Sequence, residues 1–303
     1  MKYHLSPVWL VLFMPALNAF AQNGDACQLS TQATLTSCQQ GAQSNYSASL
    51  AGCDNDSDQA QRTACMKQAK ATLNKALSDC AAQTSSRQQI CGRLGPGPYD
   101  PAVVPSNFTN NIDNPYFPLK PGTTYIYEGQ TSSGLTHNEF AVTSNTVVIQ
   151  GVTCVEVHDM LQLNGQLTED TRDWFAQDRQ GNVWYFGEAS AKISNGLPFS
   201  LAGSWTGGVN GARIGIIMEA HSAIGDFYRQ EFQAGNAEDL AEVHLLHQTL
   251  TVPVGTLNEV LVTRETSPLE PGLVEFKYWA PGIGNIKTND NGEIQQLIEI
   301  KHQ

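Results

Sequence analysis

Read as a pattern of apolar and polar positions, the chain changes character twice. Residues 27–91 are rich in Ala, Gln and Ser, with thinly spread apolar positions suited to helix. A Pro- and Gly-rich stretch follows, and from Thr123 onward short runs of alternating apolar and polar residues read as strands separated by Gly, Pro and Asn turns. Strands are expected over 125–128, twice within 139–157, then over 169–188, 227–232, 241–252, 258–264, 275–279 and 294–300. Residues 194–215, small and Gly-rich around Trp205, read as a long loop covering one end of the sheet. Short strands at regular intervals predict an antiparallel meander curled into a half-barrel or barrel. The expected fold is therefore mainly β, preceded by a disulfide-stapled α-helical hairpin.

The helical segment carries six cysteines, Cys27, Cys38, Cys53, Cys65, Cys80 and Cys91, at separations of 11, 15, 12, 15 and 11. That spacing is a palindrome. Steps of 11 and 15 keep each helix's cysteines on one stripe at about 100° per residue, so an antiparallel hairpin would pair them as Cys53–Cys65, Cys38–Cys80 and Cys27–Cys91. The turn contains Asp54, Asp56 and Asp58, the opening of a calcium loop. Gln59 and Cys65 stand where such a loop needs its Gly and its final Glu, so an EF-hand is excluded and an Asp capping the second helix is the simpler account.

Targeting signals set the compartment. Lys2, the apolar run 8–17 and Ala19-Phe20-Ala21 form an expected signal peptide over residues 1–21. Segments then follow as a hairpin over 22–94, a linker over 95–118 and a β-domain over 119–303. No later stretch is long and apolar enough for a membrane span, and the six paired cysteines suit an oxidising compartment, so the protein is expected to be secreted or periplasmic. The seventh cysteine, Cys154, lies in an apolar strand and reads as a buried thiol. The whole chain has a formal charge of -12. Such an acidic surface argues against nucleic acid or an anionic membrane as partner.

The densest chemistry lies in residues 169–188, EDTRDWFAQDRQGNVWYFGE. Pairing Gln177 with Val183 around the polar turn at Gly181 places Phe175, Tyr185 and Asp173 on one face. The other face then carries Trp174, Trp184, Phe186 and an Arg172–Glu188 pair. Candidate ligand-binding residues are Trp174, Phe175, Trp184, Tyr185, Phe186 and Trp205. A candidate acidic site comprises Glu169, Asp173, Glu188, Glu231, Glu238 and Asp239; such a cluster could hold calcium, act as an acid/base pair on a sugar, or form a solvated acidic rim. His244 and His247 fall on opposite faces of a strand and do not make a metal pair. No nucleophile elbow, zincin motif, P-loop or dinucleotide fingerprint is present.

The segments Asn114-Pro115-Tyr116-Phe117-Pro118-Leu119, the 169–188 hairpin, Gly225-Asp226-Phe227-Tyr228-Arg229-Gln230-Glu231, Ala237-Glu238-Asp239, Val252-Pro253-Val254-Gly255, Ser267-Pro268-Leu269-Glu270-Pro271-Gly272 and Tyr278-Trp279-Ala280-Pro281-Gly282-Ile283-Gly284 resemble an uncharacterised secreted bacterial β-domain family. The last of these, with the Val252–Gly255 turn, is similar to the end of half-barrel domains of the lipoprotein-carrier type. The resemblance implies an antiparallel sheet curled round an apolar groove; it brings no catalytic residues and does not include the helical hairpin. The expected function is an exported binding protein holding a small apolar or amphipathic ligand on the concave face. The alternatives are a metal- or carboxylate-dependent extracellular hydrolase using Asp173 and Glu231, and an extracellular protein-interaction module with the hairpin as its arm.

Overall fold

A computed structural model of the chain describes residues 25–302. The expected signal segment lies outside the described residues. Two long helices, α1 (Ala26–Asp54) and α2 (Gln59–Leu94), form the hairpin. Asp58 starts α2 by accepting hydrogen bonds from the backbone N–H groups of Ala60 and Gln61, which satisfies two of the helix's orphan donors. The three nested disulfides form with Cα–Cα distances of 5.6 Å (Cys27–Cys91), 5.8 Å (Cys38–Cys80) and 5.6 Å (Cys53–Cys65).

Sixteen strands follow. They are β1 (Phe108–Thr109), β2 (Thr123–Thr131), β3 (Gly134–Ile149), β4 (Val152–Leu163), β5 (Gln166–Asp178), β6 (Val183–Ser194), β7 (Leu197–Ser200), β8 (Trp205–Thr206) and β9 (Arg213–Met218), then β10 (Phe227–Arg229), β11 (Glu231–Phe232), β12 (Leu240–Val252), β13 (Gly255–Thr266), β14 (Glu275–Ala280), β15 (Gly284–Asp290) and β16 (Glu293–His302). Two antiparallel meanders, β2 to β6 and β12 to β16, are joined where β16 pairs with β2. The remaining edges come together at one seam. There β10 pairs with β12 and β11 pairs with β9, and the two short strands are separated in sequence by Gln230 alone. The chain thus changes partner at Gln230 and brings the sheet close to a closed barrel. Gly215 in β9 makes room for this seam, because a Cβ there would fall 2.4 Å from the Gln230 carbonyl.

Residues 194–215 are more ordered than a covering loop: β7 and β8 both pair with β6, and β9 begins there. The 95–118 segment is likewise packed rather than extended. β1 pairs with β5, Ile112 bridges Leu119, and Ile112, Asn114, Phe117 and Leu119 are all buried. Asn114 donates to the carbonyls of Gly181 and Glu219, its backbone N–H donates to the Gln177 side chain, and the Pro115 carbonyl accepts from Gly282. Residues 112–119 therefore form a plug across one end of the barrel, against the β5–β6 and β14–β15 turns. Phe117 points into the main core and packs 5.2 Å from Phe175 and 5.6 Å from Trp279, centroid to centroid.

The hairpin docks on the outside of the barrel. Arg87 makes a buried two-pronged ion pair with Glu238 at 2.7–3.1 Å. Arg93 pairs with Glu242 at 2.9 Å and lies over the Phe227 ring at 3.7 Å. No helix among the described residues is long and apolar enough to cross a membrane.

Candidate functional site

The barrel interior holds a cavity of about 410 Å³. Strand alternation explains its two-part character. Near the plug, inward positions are aromatic: Tyr125 on β2, Phe140 on β3, Phe175 on β5, Tyr185 on β6 and Trp279 on β14, with Phe117 rising from the plug itself. Phe175 and Tyr185 stack at 4.8 Å and 15°. Toward the other end β3, β4 and β5 present Asn138, Asp159, Leu161 and Glu169, and β14 to β16 present Glu275, Lys277, Thr288 and Gln295. Asn138, Leu161, Glu169, Thr288 and Gln295 are half-buried and form the mouth.

The β5–β6 hairpin builds one wall, and a single extra residue decides its chemistry. Gln177 pairs with Val183 and Phe175 with Tyr185, as alternation predicts, but Trp174 pairs with Gly187 instead of Phe186. Phe186 is the extra residue of a β-bulge, and Gly187 adopts φ 147°, a conformation that L side chains rarely adopt. Beyond the bulge the inward parity switches. Glu188 consequently lies opposite Asp173, not Arg172, and points into the barrel. The expected Arg172–Glu188 pair is replaced by Arg172 opposite Ala189.

Tyr185 links the resulting carboxyl pair. Its hydroxyl oxygen lies 2.5 Å from Asp173 Oδ1 and 3.0 Å from Glu188 Oε2. A phenol has one proton to donate, so both contacts are hydrogen bonds only when one carboxyl is protonated and donates back. The electrostatics favour that state. Burial first, then the Asp159 and Glu188 charges, raise Asp173 well above the usual carboxylate range. Glu188 is pushed up to about 7, again chiefly by burial, while the Tyr185 hydrogen bond opposes the shift. Asp159 rises to about 6 through burial, against the hydrogen bond from Asn138. Across the cavity, Glu231 is raised well above its ordinary value by burial and by Asp239 and Glu188. Burial also raises Asp239 and Glu275.

Lys277 is the cavity wall's ammonium. It binds Glu265 at 2.8 Å and Glu275 at 3.1 Å, and these partners hold its pKa well up despite burial. Glu265 in turn accepts from Thr263 at 2.8 Å, and Thr263 accepts from the Trp279 indole at 2.9 Å.

The structure distributes the candidates from the sequence as follows. Phe175 and Tyr185 line the cavity, as do Glu169, Glu188, Glu231 and Asp239. Asp173 sits behind Tyr185, outside the lining. Trp205 is buried edge-on against Tyr185 at 5.3 Å and does not reach the lumen. Trp174, Trp184 and Phe186 face outward into a second apolar cluster, covered by Val103 and Phe108. Glu238 is on the barrel's outside, held by Arg87. Cys154 is buried in that outer cluster, its thiol raised to about 12 by burial. Among the described residues, no three His, Cys, Asp or Glu side chains converge closely enough to hold a metal ion. Not anticipated were Asp159, Glu275, Lys277 and the aromatics contributed by β2, β3 and the plug. Their signal was the alternation Tyr125/Tyr127 and Val155/Val157/Asp159, which marks an inward face once the sheet's concave side is known.

No protein-family model matches the chain, and no curated protein does. Among solved structures, the chain is similar to a protein described as a "putative lipoprotein" from Parabacteroides distasonis ATCC 8503, with a TM-score of 0.34 and 12% identity, over 61% of this chain and 98% of that one. Likeness at that level assigns neither a family nor a function.

Proposed function

We propose that this is an exported binding protein that holds a small amphipathic molecule inside the barrel. The observation that carries this reading is the polarity of the cavity: an aromatic floor against the plug and a wall lined with carboxyls beyond it. A molecule with an apolar body and a polar head fits that gradient, and aromatic walls with a few placed polar groups are the usual make-up of small-molecule sites. The three disulfides support an oxidising compartment. The neutral fluorescent probe N-phenylnaphthylamine is expected to bind the wild type with enhanced emission. Leu161→Trp, which places an indole in the mouth, is expected to abolish that signal while leaving the circular dichroism unchanged. Unaltered probe binding in the variant, or none in the wild type, would remove the cavity from consideration.

A carboxylate-dependent hydrolase is the second reading. It is favoured by Asp159 and Glu188, two cavity carboxyls whose values of about 6 and about 7 lie where general acids and bases work. The pair named from sequence, Asp173 and Glu231, fits less well because Asp173 is shielded by Tyr185. Turnover of glycoside or ester substrates, lost in Glu188→Gln with the fold intact, would support this alternative.

A further inference from the structure

The cavity lining carries six carboxyls against one ammonium, and that ammonium is already ion-paired to Glu275 and to Glu265 behind it. Asp159, Glu169, Glu188, Glu231 and Asp239 are left facing the lumen without an ion pair; Lys277 eases Asp159 and Asp239 from a distance but is bonded to neither. Low-dielectric walls focus such charge into the space between them. A guest with a carboxylate or phosphate head would add to the repulsion, whereas a cation would relieve it. The carboxyls are spread round the wall, without the convergence that a metal ion requires. The lining between them includes the rings of Phe175, Tyr185 and Trp279, and aromatic rings attract a diffuse organic cation.

A second observation concerns Gln230, at the seam of the barrel and beside Glu231 on the same wall. Its side chain is 3% exposed, and its Nε2 has no hydrogen-bond partner among the described residues. A buried amide donor left vacant costs about 1–3 kcal/mol, and an acceptor on a guest would satisfy it.

Building on the binding reading above, we propose that the ligand is an amphipathic organic cation, an amine or quaternary ammonium with a neighbouring hydrogen-bond acceptor. Its head lies among Asp159, Glu188 and Glu231, and its hydrocarbon part lies on the aromatic floor.

Three probes of equal chain length separate the possibilities by isothermal titration calorimetry of the full exported chain: decyltrimethylammonium, decanol and decanoate. The ammonium is expected to bind at least about tenfold more tightly than decanol, with decanoate weakest. Glu231→Gln should weaken the ammonium about tenfold and leave decanol unchanged. Unchanged circular dichroism and tryptophan emission of the variant show that the barrel is intact before the affinities are compared. Decanol or decanoate binding as tightly as the ammonium would overturn the cationic assignment and leave the binding reading standing. Binding of none of the three would overturn both.

Discussion

The two helices, 29 and 36 residues long, bury four and six side chains respectively, and three of those ten are disulfide cysteines. The barrel has a continuous core running from Ile112 to Leu297, yet its interior holds carboxyls in place of some of the packing it could have had. One region has little to bury and is held covalently. The other has ample apolar surface and carries a strained electrostatic interior. The contrast shows where each is vulnerable: the hairpin to chemistry at sulfur, the barrel to pH. It also separates them optically, because Trp174, Trp184, Trp205 and Trp279 all lie in the barrel and none lies in residues 25–94. Tryptophan emission therefore follows the barrel, and the helical circular dichroism band follows the hairpin.

The largest effect is expected where the two regions meet. Arg87→Ala leaves Glu238 as a buried charge without its bidentate partner and should cost about 3–5 kcal/mol, read as a lower urea midpoint. Earlier loss of both signals would mean that the regions support one another. A change confined to the helical band would mean that the barrel stands alone. Next is the middle staple. Removing Cys38–Cys80, which closes a loop at a sequence separation of 42, by paired Ala substitution should destabilise the hairpin by about 2–4 kcal/mol. The helical band should melt at lower temperature while tryptophan emission holds. Simultaneous loss of both would erase the distinction drawn here.

The smallest effect concerns the barrel's carboxyls. Asp159 and Glu188 bind protons more tightly folded, at about 6 and about 7, than unfolded, at about 4. Their penalty is thus absent below about pH 4 and complete above about pH 7, so barrel stability should fall as pH rises through that window. Glu188→Gln should flatten the slope and gain on the order of 1 kcal/mol at pH 8. A steeper slope, or a loss at pH 8, would show that ionised Glu188 stabilises the barrel.

Much of the architecture was legible beforehand, for reasons particular to certain residues. The palindromic cysteines left one geometrically simple pairing for a helical hairpin, and the polar turn Asp178–Asn182 fixed Gln177 opposite Val183. Asp178 accepts hydrogen bonds from the backbone N–H groups of Gln180 and Asn182 there. The bulge at Phe186 was not legible: alternation assumes an unbroken pleat, and a lone Gly187 does not announce an extra residue. That one assumption sent Glu188 to the wrong face. The plug was hidden for another reason. Prolines at 115 and 118 spoil any helix or strand pattern, yet Ile112, Phe117 and Leu119 are core residues all the same. The acidic lining of the cavity was half visible because charge can be counted along a chain, whereas Asp159 and Glu275 join it only through the curvature of the sheet.

The bulge makes the character of this wall a matter of counting. Val183 and Tyr185 face inward on odd numbers, and Glu188 and Ser190 on even ones. Pairing Phe186 directly with Trp174 would change neither the composition of the strand nor its charge, but it would turn everything after it inside out, sending Glu188 outward and Ala189 into the lumen. The register at the bulge, more than any one lining side chain, therefore decides which groups this wall turns to a guest.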